Sequence, residues 1–429
     1  MANTYLTRTP SSAGNRRTWT ISVWLKIAAP TGDLAIFNAW SADNYAGHFV
    51  LKRRSTNESI GWSQWASDNY SNASYRDTNG WYHLVLAVDT TQSTASDRQK
   101  LYINGEQVTS WATSYTLGLN EETVVNSATI HHIGIQKWSS LGSNPFNGVM
   151  SHFHLCDGTA YAPTAFGETD STTGEWKIKT SPSVSYGTNG FFILKDGNSV
   201  TDQSGNGNNW TVASGTLTNT EDCPSNVFAT MNPLSAGSDM TFGNGNTKIR
   251  NDVGTWNSGL GTIAPGTGKY YWEVYVHGGG DNNTGVTLSS VDGSTHSAVD
   301  AGRVVYSRNG YIYREGLSDQ GNYDTGVTYG DSDIIGVAFD TENGTLSFYK
   351  NGSAVSNSTT TATQFLRSNN EYIVQCGLYN GGEFRFNFGN GYFGTTAVSS
   401  AGTNASGIGI FEYDVPTGYT ALSTKGLNE

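Results

Sequence analysis

The chain has 429 residues, long enough for two or three domains, with 52 glycines, 9 prolines, 14% charged and 12% aromatic residues. That aromatic share excludes a disordered chain, which has no core for rings to fill, and the excess of Gly, Ser, Thr and Asn reads as turns between many short strands. A net charge of −12 would repel a phosphate backbone, so no nucleic-acid partner is expected, and with no stretch near the ~20 apolar residues of a span, no membrane either.

The opening "MANTYLTRTPSSAGNRRTW" lacks the apolar core of a secretory signal, which predicts folding in a reducing cytosol. In "RTWTISVWLKI", Trp19, Ile21, Val23, Leu25 and Ile27 fall on one face, opposite Thr18, Thr20, Ser22 and Lys26. That period of two predicts a half-buried strand. "IGWSQWASDNYSNASYRDTNGW" is the richest aromatic stretch in polar surroundings. Trp62 and Trp65 lie three apart and face opposite sides of a strand, while Tyr70 and Tyr75 sit in sequence typical of a loop tip. "WYHLVLAVDT" is apolar on both faces, as a central strand of a two-layer sandwich is. "ATIHHIGI" and "GVMSHFHLCDG" extend the series to about residue 170, and no window carries a helical period.

Residues 171–221 are rich in Gly, Ser and Asn, with one short apolar run, "FFIL". Trp176, Phe191, Phe192 and Trp210 mark them as a connecting region packed on the first domain. A second strand series follows. "KYYWEVYVHG" puts Tyr270, Trp272, Val274 and Val276 on one face. "DIIGVAFDTENGTLSFYKNGSAV" holds two Asn-Gly pairs and predicts a three-stranded meander. "EFRFNFG" alternates Phe384, Phe386 and Phe388 inward with Glu383, Arg385 and Asn387 outward. The hairpins around Asn104 and Asn351 look alike, but their flanks differ, and so do the spacings Asp89 to Asn104 and Asp340 to Asn351. A repeat keeps its period. The chain therefore reads as two distinct sandwiches: 1–175, a connecting segment 176–221, and 222–429.

Candidate chemistry is sparse. Cys156, Cys223 and Cys376 are far apart with no C-x-x-C spacing, and read as buried free thiols. The Glu-x-Asp-x-x-Glu signature of a retaining glycosidase is absent. Glu168 with Asp170, and Asp331 with Asp333, lie in loop sequence and read as solvated turn acids, so the expectation is a protein that is not an enzyme. His131 and His132, and His152 with His154 on one face, lack an evident third metal ligand. "DQSGNGNN" offers Asp202, Asn206 and Asn208 as a weak candidate calcium set, with an Asn-Gly turn cluster the favoured reading. For sugar binding, where rings meet C–H-rich faces, the candidates are Trp62, Trp65, Tyr70 and Tyr75, each equally at home in the core.

"WYHLVLAVDTTQSTASDRQKLYINGEQV" and "FNGVMSHFHLCDGTAYAPTAFGETDSTTGEWKIK" resemble the laminin-G/concanavalin A-like lectin domains of bacteriophage structural proteins, over about the first 180 residues. Related domains often carry an acid where His152 stands, and some bind calcium. "GKYYWEV", "GDSDIIGVAFDTENGTLSFYKNG" and "YNGGEFRFNFG" resemble a SPRY (B30.2-like) domain, and "VPTGYTALSTKGLNE" is similar to the close of phage-borne SPRY domains. The resemblance implies an all-β chain of two antiparallel β-sandwiches, a concanavalin A-like jelly roll and then a SPRY-like sandwich. It further implies a virion protein, assembled in the host cytoplasm, in a tail fibre or other surface appendage that recognises a host-surface glycan or protein. Such fibres favour homotrimers. The alternative is a decoration or head-fibre protein that binds other virion subunits, and a third reading is a glycan depolymerase.

Overall fold

The computed structural model describes residues 3–28, 32–65, 67–138, 141–195, 199–294, 302–314, 321–356 and 371–428. The chain divides into two compact units, Met1–Asn219 and Thr220–Glu429. Both are built of antiparallel sheets, and the helical turns among the described residues are short 3-10 turns.

The first unit packs a six-stranded sheet on an eight-stranded one. The six-stranded order is Phe191–Ile193, Gly148–Asp157, Thr18–Ile27, Trp81–Asp89, Gln99–Ile103, Glu106–Gln107. The eight-stranded order is Trp111–Thr113, Ser67–Ser71, Ile60–Gln64, His48–Arg53, Leu34–Trp40, Ile130–Ile133, Tyr5–Arg8, Thr211–Ser214. Trp19, Ile21, Val23, Leu25 and Ile27 enter the core between them, against Phe37, Phe49, Leu51 and Trp62. Segment 176–221 does more than connect. Phe191–Ile193 pairs with Gly148–Asp157, Thr211–Ser214 pairs with Tyr5–Arg8, and Trp210 is buried in the core. It completes both sheets, so the first unit runs to Asn219.

The strand Thr18–Ile27 is not half-buried. Thr20, Ser22 and Lys26 on its polar face are as buried as the apolar ones. The chain after residue 158 folds back over this face, bringing Tyr161, Phe166, Val184 and Tyr186 around Val85 and Cys156. Trp176 lies over His83, which lies over Trp24, with centroids 5.9 and 4.6 Å apart. Two glycines make room for that indole, because a Cβ on Gly105 or Gly167 would stand 2.6 or 2.5 Å from it. Trp176 Nε1 donates to His83 Nδ1 at 2.9 Å, so the ring proton sits on Nε2 and donates to Ser22 Oγ at 2.9 Å. Protonation would set two N–H groups against each other. Burial first, then nearby His152, lowers the His83 pKa to about 3.

The second unit has a seven-stranded sheet: Met231–Ala236, Asn257–Gly261, Tyr372–Leu378, Asn282–Leu288, Val304–Ser307, Tyr311–Arg314, Gly321–Asp324. Its partner runs Met240–Gly243, Lys248–Asn251, Gly382–Asn387, Lys269–His277, Ile334–Asp340, Thr345–Lys350, Ser353–Ala354, with Thr420–Ala421 added in parallel beside Tyr270 and Tyr271. The last three listed in the main order are the expected meander. Phe384, Phe386 and Phe388 are fully buried, but so are the outward Glu383 and Asn387. Again, later chain covers the polar face. Glu273 accepts the N–H groups of Glu412 and Tyr413, both at 2.9 Å, with Asn387 Nδ2 and the Tyr271 hydroxyl at 3.3 Å. Burial nevertheless pushes its carboxyl up to about 7. Cys156 and Cys376 are buried free thiols, whereas Cys223 is half-exposed in a turn.

The two similar hairpins use one device in different sheets. Asn104 and Gly105 have φ 49 and 85, Asn351 and Gly352 φ 50 and 78, the positive values of a type I′ turn. Asn104 Oδ1 accepts the His83 N–H at 2.7 Å, and Asn351 Oδ1 accepts the Ile334 N–H at 2.8 Å. Each turn thereby pins a central strand.

Two expectations follow. Glu273→Gln turns an amide N–H toward one of the N–H groups Glu273 now receives, which costs about 1–3 kcal/mol. The second unit's unfolding midpoint falls, and hydrogen exchange speeds up at Glu412 and Tyr413 more than elsewhere. Unchanged exchange there refutes the anchor. The units also respond oppositely to acid. His83, His131 (lowered to about 4, mainly by burial) and His154 (lowered, mainly by burial) stay neutral when folded, yet titrate near 6.5 when unfolded. Between pH 6.5 and 4 the unfolded first unit takes up protons that the folded one refuses, and each such histidine removes about 1.4 kcal/mol per pH unit. Glu273, raised from 4.5 to about 7, binds its proton first in the folded state and stabilises the second unit as pH falls from 7 to 4.5. Calorimetry should show the first unit's transition dropping across that window while the second's does not.

Candidate functional site

The outer face of the eight-stranded sheet carries the site. Register sets Ile130 directly opposite Trp40 and Trp40 directly opposite His48. The Trp65 N–H reaches the His48 carbonyl at 3.3 Å and continues the line. The strand neighbours His131, Ala39 and Phe49 are buried on the opposite face, so alternation turns Ile130, Trp40 and His48 outward. At ~4.8 Å per strand, the row from Ile130 to Trp65 spans about 14 Å.

Trp65 is 43% exposed, whereas Trp40 and Ile130 are half-exposed. Trp65 also holds φ 54, a left-handed conformation unusual for a bulky side chain. Trp40 Nε1 donates to Asp43 Oδ1 at 2.8 Å. Asp43 sits in loop 41–47, closed by the Ser41 N–H on the Gly47 carbonyl at 2.7 Å. A Cβ on Gly47 would stand 2.7 Å from Ala42 backbone, so the loop needs glycine there. His48 is the buried member of the row, edge-on to Trp65 with centroids 5.9 Å apart, and burial lowers its pKa and keeps it neutral. A line of rings with a carboxylate at its border suits a ligand with C–H faces and hydroxyl edges.

Of the four aromatics singled out from sequence, only Trp65 joins this row. Trp62 is in the core, edge-on to Trp111 with centroids 5.7 Å apart. Tyr70 is not on a loop tip: it lies in the strand Ser67–Ser71, fully buried, with its hydroxyl 2.7 Å from Ser63 Oγ and the Arg54 guanidinium 4.4 Å above its ring. Tyr75 is half-buried and packs edge-on to Tyr82. A bulge between Ala35 and Phe37 shifts the phase of "LAIFNAW" and hides the outward face of Trp40 from simple alternation. The downstream register Asn38, Ala39, Trp40 against Val50, Phe49, His48 carries the signal.

The calcium reading is corrected. Asp202 Oδ1 accepts the N–H groups of Phe192 and Ser204 at 2.8 and 2.9 Å, and Oδ2 accepts Ser204 Oγ and the Asn208 N–H, both at 2.8 Å. Asn206 Nδ2 donates to the Gly187 and Gly190 carbonyls, and Asn208 Nδ2 to those of Thr188 and Gly190. Asn208 Oδ1 receives Arg8. The three residues knit segment 202–208 to 187–190, and the side-chain oxygens of Asp202 and Asn208 face donors. They do not fit a cation. Among the described residues, no group of three His, Cys, Asp or Glu side chains is placed to hold a metal ion.

The paired acids are tied to backbone N–H groups or lysines, and Glu168 lies in the strand Gly167–Thr169 and not in a loop. Asp170 accepts the Thr172 and Thr173 N–H groups beside Lys177, which together hold it down at about 2, and Glu168 faces Lys177 at 3.5 Å. Asp331 accepts the Gly278 N–H, and Asp333 accepts that of Gly330 beside Lys350. His152, at φ 49 in a bulge, bonds Ser151 Oγ, and His154 bonds the Tyr186 hydroxyl. His131 bonds the Thr129 carbonyl and the Asn126 N–H.

Burial separates the two tryptophans experimentally. Trp62→Ala costs about 3–5 kcal/mol as a large core truncation. Trp65→Asn, which suits the left-handed backbone, changes stability by less than about 1 kcal/mol. Equal losses in chemical denaturation would contradict this assignment.

Residues 2–165 match the family model of the concanavalin A-like lectin/glucanases superfamily, and residues 269–391 match that of the SPRY domain. Comparison with curated proteins found no match. Similar solved structures include the SPRY domain of human HERC1, at 20% identity over 36% of this chain and 96% of that one, with a TM-score of 0.28. Stonustoxin is similar at 21% identity over 37% of this chain and 27% of its own, with a TM-score of 0.30. The TRIM65 PSpry domain is similar at 13% identity over 37% and 89%, with a TM-score of 0.27. By its family matches and its two β-sandwich units, the chain carries a domain of the concanavalin A-like lectin/glucanases superfamily followed by a SPRY domain.

Proposed function

We propose that the chain is a non-enzymatic binding protein of a bacteriophage particle, a tail-fibre or surface-appendage component whose lectin-like domain holds a host-surface glycan on the row of Ile130, Trp40, His48 and Trp65. The observation that carries the binding reading is Trp65, a large ring exposed at the end of an aligned row and held in a costly backbone conformation. The virion setting rests on the resemblance of both modules, and of the ending "VPTGYTALSTKGLNE", to phage domains. Many copies on one particle would turn weak single sites into firm attachment.

A second reading, attachment to other virion subunits, is favoured by the edge strands. Thr211–Ser214 is largely exposed with Val212 at its surface, and Met231–Ala236 exposes Leu234. Edge strands present unpaired backbone groups that another chain can meet.

The test is binding of purified chain to host cells and envelope glycans. Trp65→Ala and Trp40→Ala should each lose about 1–3 kcal/mol, roughly fivefold to a hundredfold in affinity. Wild-type protein that ignores host envelopes but saturates particles lacking it would replace this reading with the second. Release of reducing ends from host polysaccharide would overturn the non-enzymatic part.

A further inference from the structure

His48 is 4% exposed, and neither of its ring nitrogens has a hydrogen-bond partner. Burying a polar atom without a partner is unfavourable, and here one imidazole does so twice. The ring beside it, Trp65, is the exposed member of the pair and sits on a turn held at φ 54. The unmet nitrogens and the strained turn thus lie in contact at the end of one row. The charged groups acting on His48 are Asp43 and Lys52, and neither bonds it: Lys52 pairs with Asp33 at 2.8 Å and Asp43 receives Trp40.

Resting on the glycan reading above, we infer that Trp65 covers His48 in the free domain and tilts aside for a neutral glycan while its ring stays in the row, so that the sugar's hydroxyls bond the imidazole and the rings support its C–H face. The ligand class follows from hydrogen-bond roles. A neutral imidazole presents one donor and one acceptor. A sugar hydroxyl both donates and accepts, so it meets either nitrogen whichever holds the proton. An ionised carboxylate or phosphate only accepts, and would bring its charge beside Asp43 on a chain of net charge −12. An ammonium group only donates.

The experiment titrates the full chain with neutral hexose oligosaccharides and with uronic-acid oligosaccharides of the same length. Wild type should prefer the neutral series. His48→Phe, which replaces both nitrogens by carbon, should raise the thermal midpoint of the first unit and weaken neutral-glycan binding by about tenfold or more. His48→Gln, which keeps a donor and an acceptor, should stay within about threefold of wild type. A destabilised His48→Phe protein would mean that the imidazole is structural, and overturns the inference. So does unchanged binding by His48→Phe, or a preference for the acidic series. If any of these three results comes with binding that still falls in Trp40→Ala, the glycan reading stands without this refinement. No binding to either series by the wild type removes both.

Discussion

Each domain depends on pairing the polar groups that its central strand carries on the face away from the main core. Thr18–Ile27 and Lys269–His277 each send one row of side chains into the core and the other under a cover of later chain. A buried donor or acceptor left unmet costs about as much as several contacts gain, so the cover must bring partners. In the first domain it brings Trp176 to His83, with Ser22 closing the other side of the ring. In the second it brings the N–H groups of Glu412 and Tyr413 to Glu273. Hydrophobic burial alone would let the cover slide over the sheet. These directional bonds, together with the space left at Gly105 and Gly167, fix where it rests.

The same constraint explains what the sequence could and could not disclose. Alternation in "RTWTISVWLKI" and "EFRFNFG" identified strands and their core faces correctly, because the core side is a local pattern of period two. It reports polarity, however, and not contact with water. Ser22 reads as solvent-facing because its cover arrives from far along the chain, Trp176 being 93 residues from His83, and Glu273 is covered in the same way by Glu412, 139 residues on. The Asn-Gly turns were legible for the opposite reason, since φ > 0 at Asn104 and Asn351 is a property of adjacent residues. Segment 176–221 looked like a connector because its strands are three or four residues long, and pairing rather than composition makes Phe191–Ile193 and Thr211–Ser214 part of the sandwich.

The candidate site was legible only in one residue. Aromatic density drew attention to residues 62–75, but density does not separate a ring that fills a core from one that faces out. Trp62 and Tyr70 are fixed by Trp111 and Ser63, partners that a one-dimensional reading does not supply. The row itself is a product of register across separate segments: Ile130, Trp40, His48 and Trp65 are close only because three strands and a turn align. A site of this kind has no motif. It rests on the rigidity of the sheet, which holds the rings in line.

The histidines show where that rigid frame is complete. His83 uses Ser22 and Trp176, and His131 uses Thr129 and Asn126, one partner for each ring nitrogen. Both rings are neutral, both are enclosed, and both are finished by the chain itself. His48 is also neutral and enclosed, and it lies on the same sheet as His131, yet the chain offers it nothing. His132, on the same sheet, is unmet at Nδ1, whereas His48 is unmet at both ring nitrogens. The contrast locates the departure at the row's exposed end, beside a tryptophan whose backbone is itself unfavourable. Under the proposed reading, the two costs borne side by side in the row, an imidazole unmet at both nitrogens and a tryptophan held in a left-handed turn, are offset by a contact completed from outside the chain.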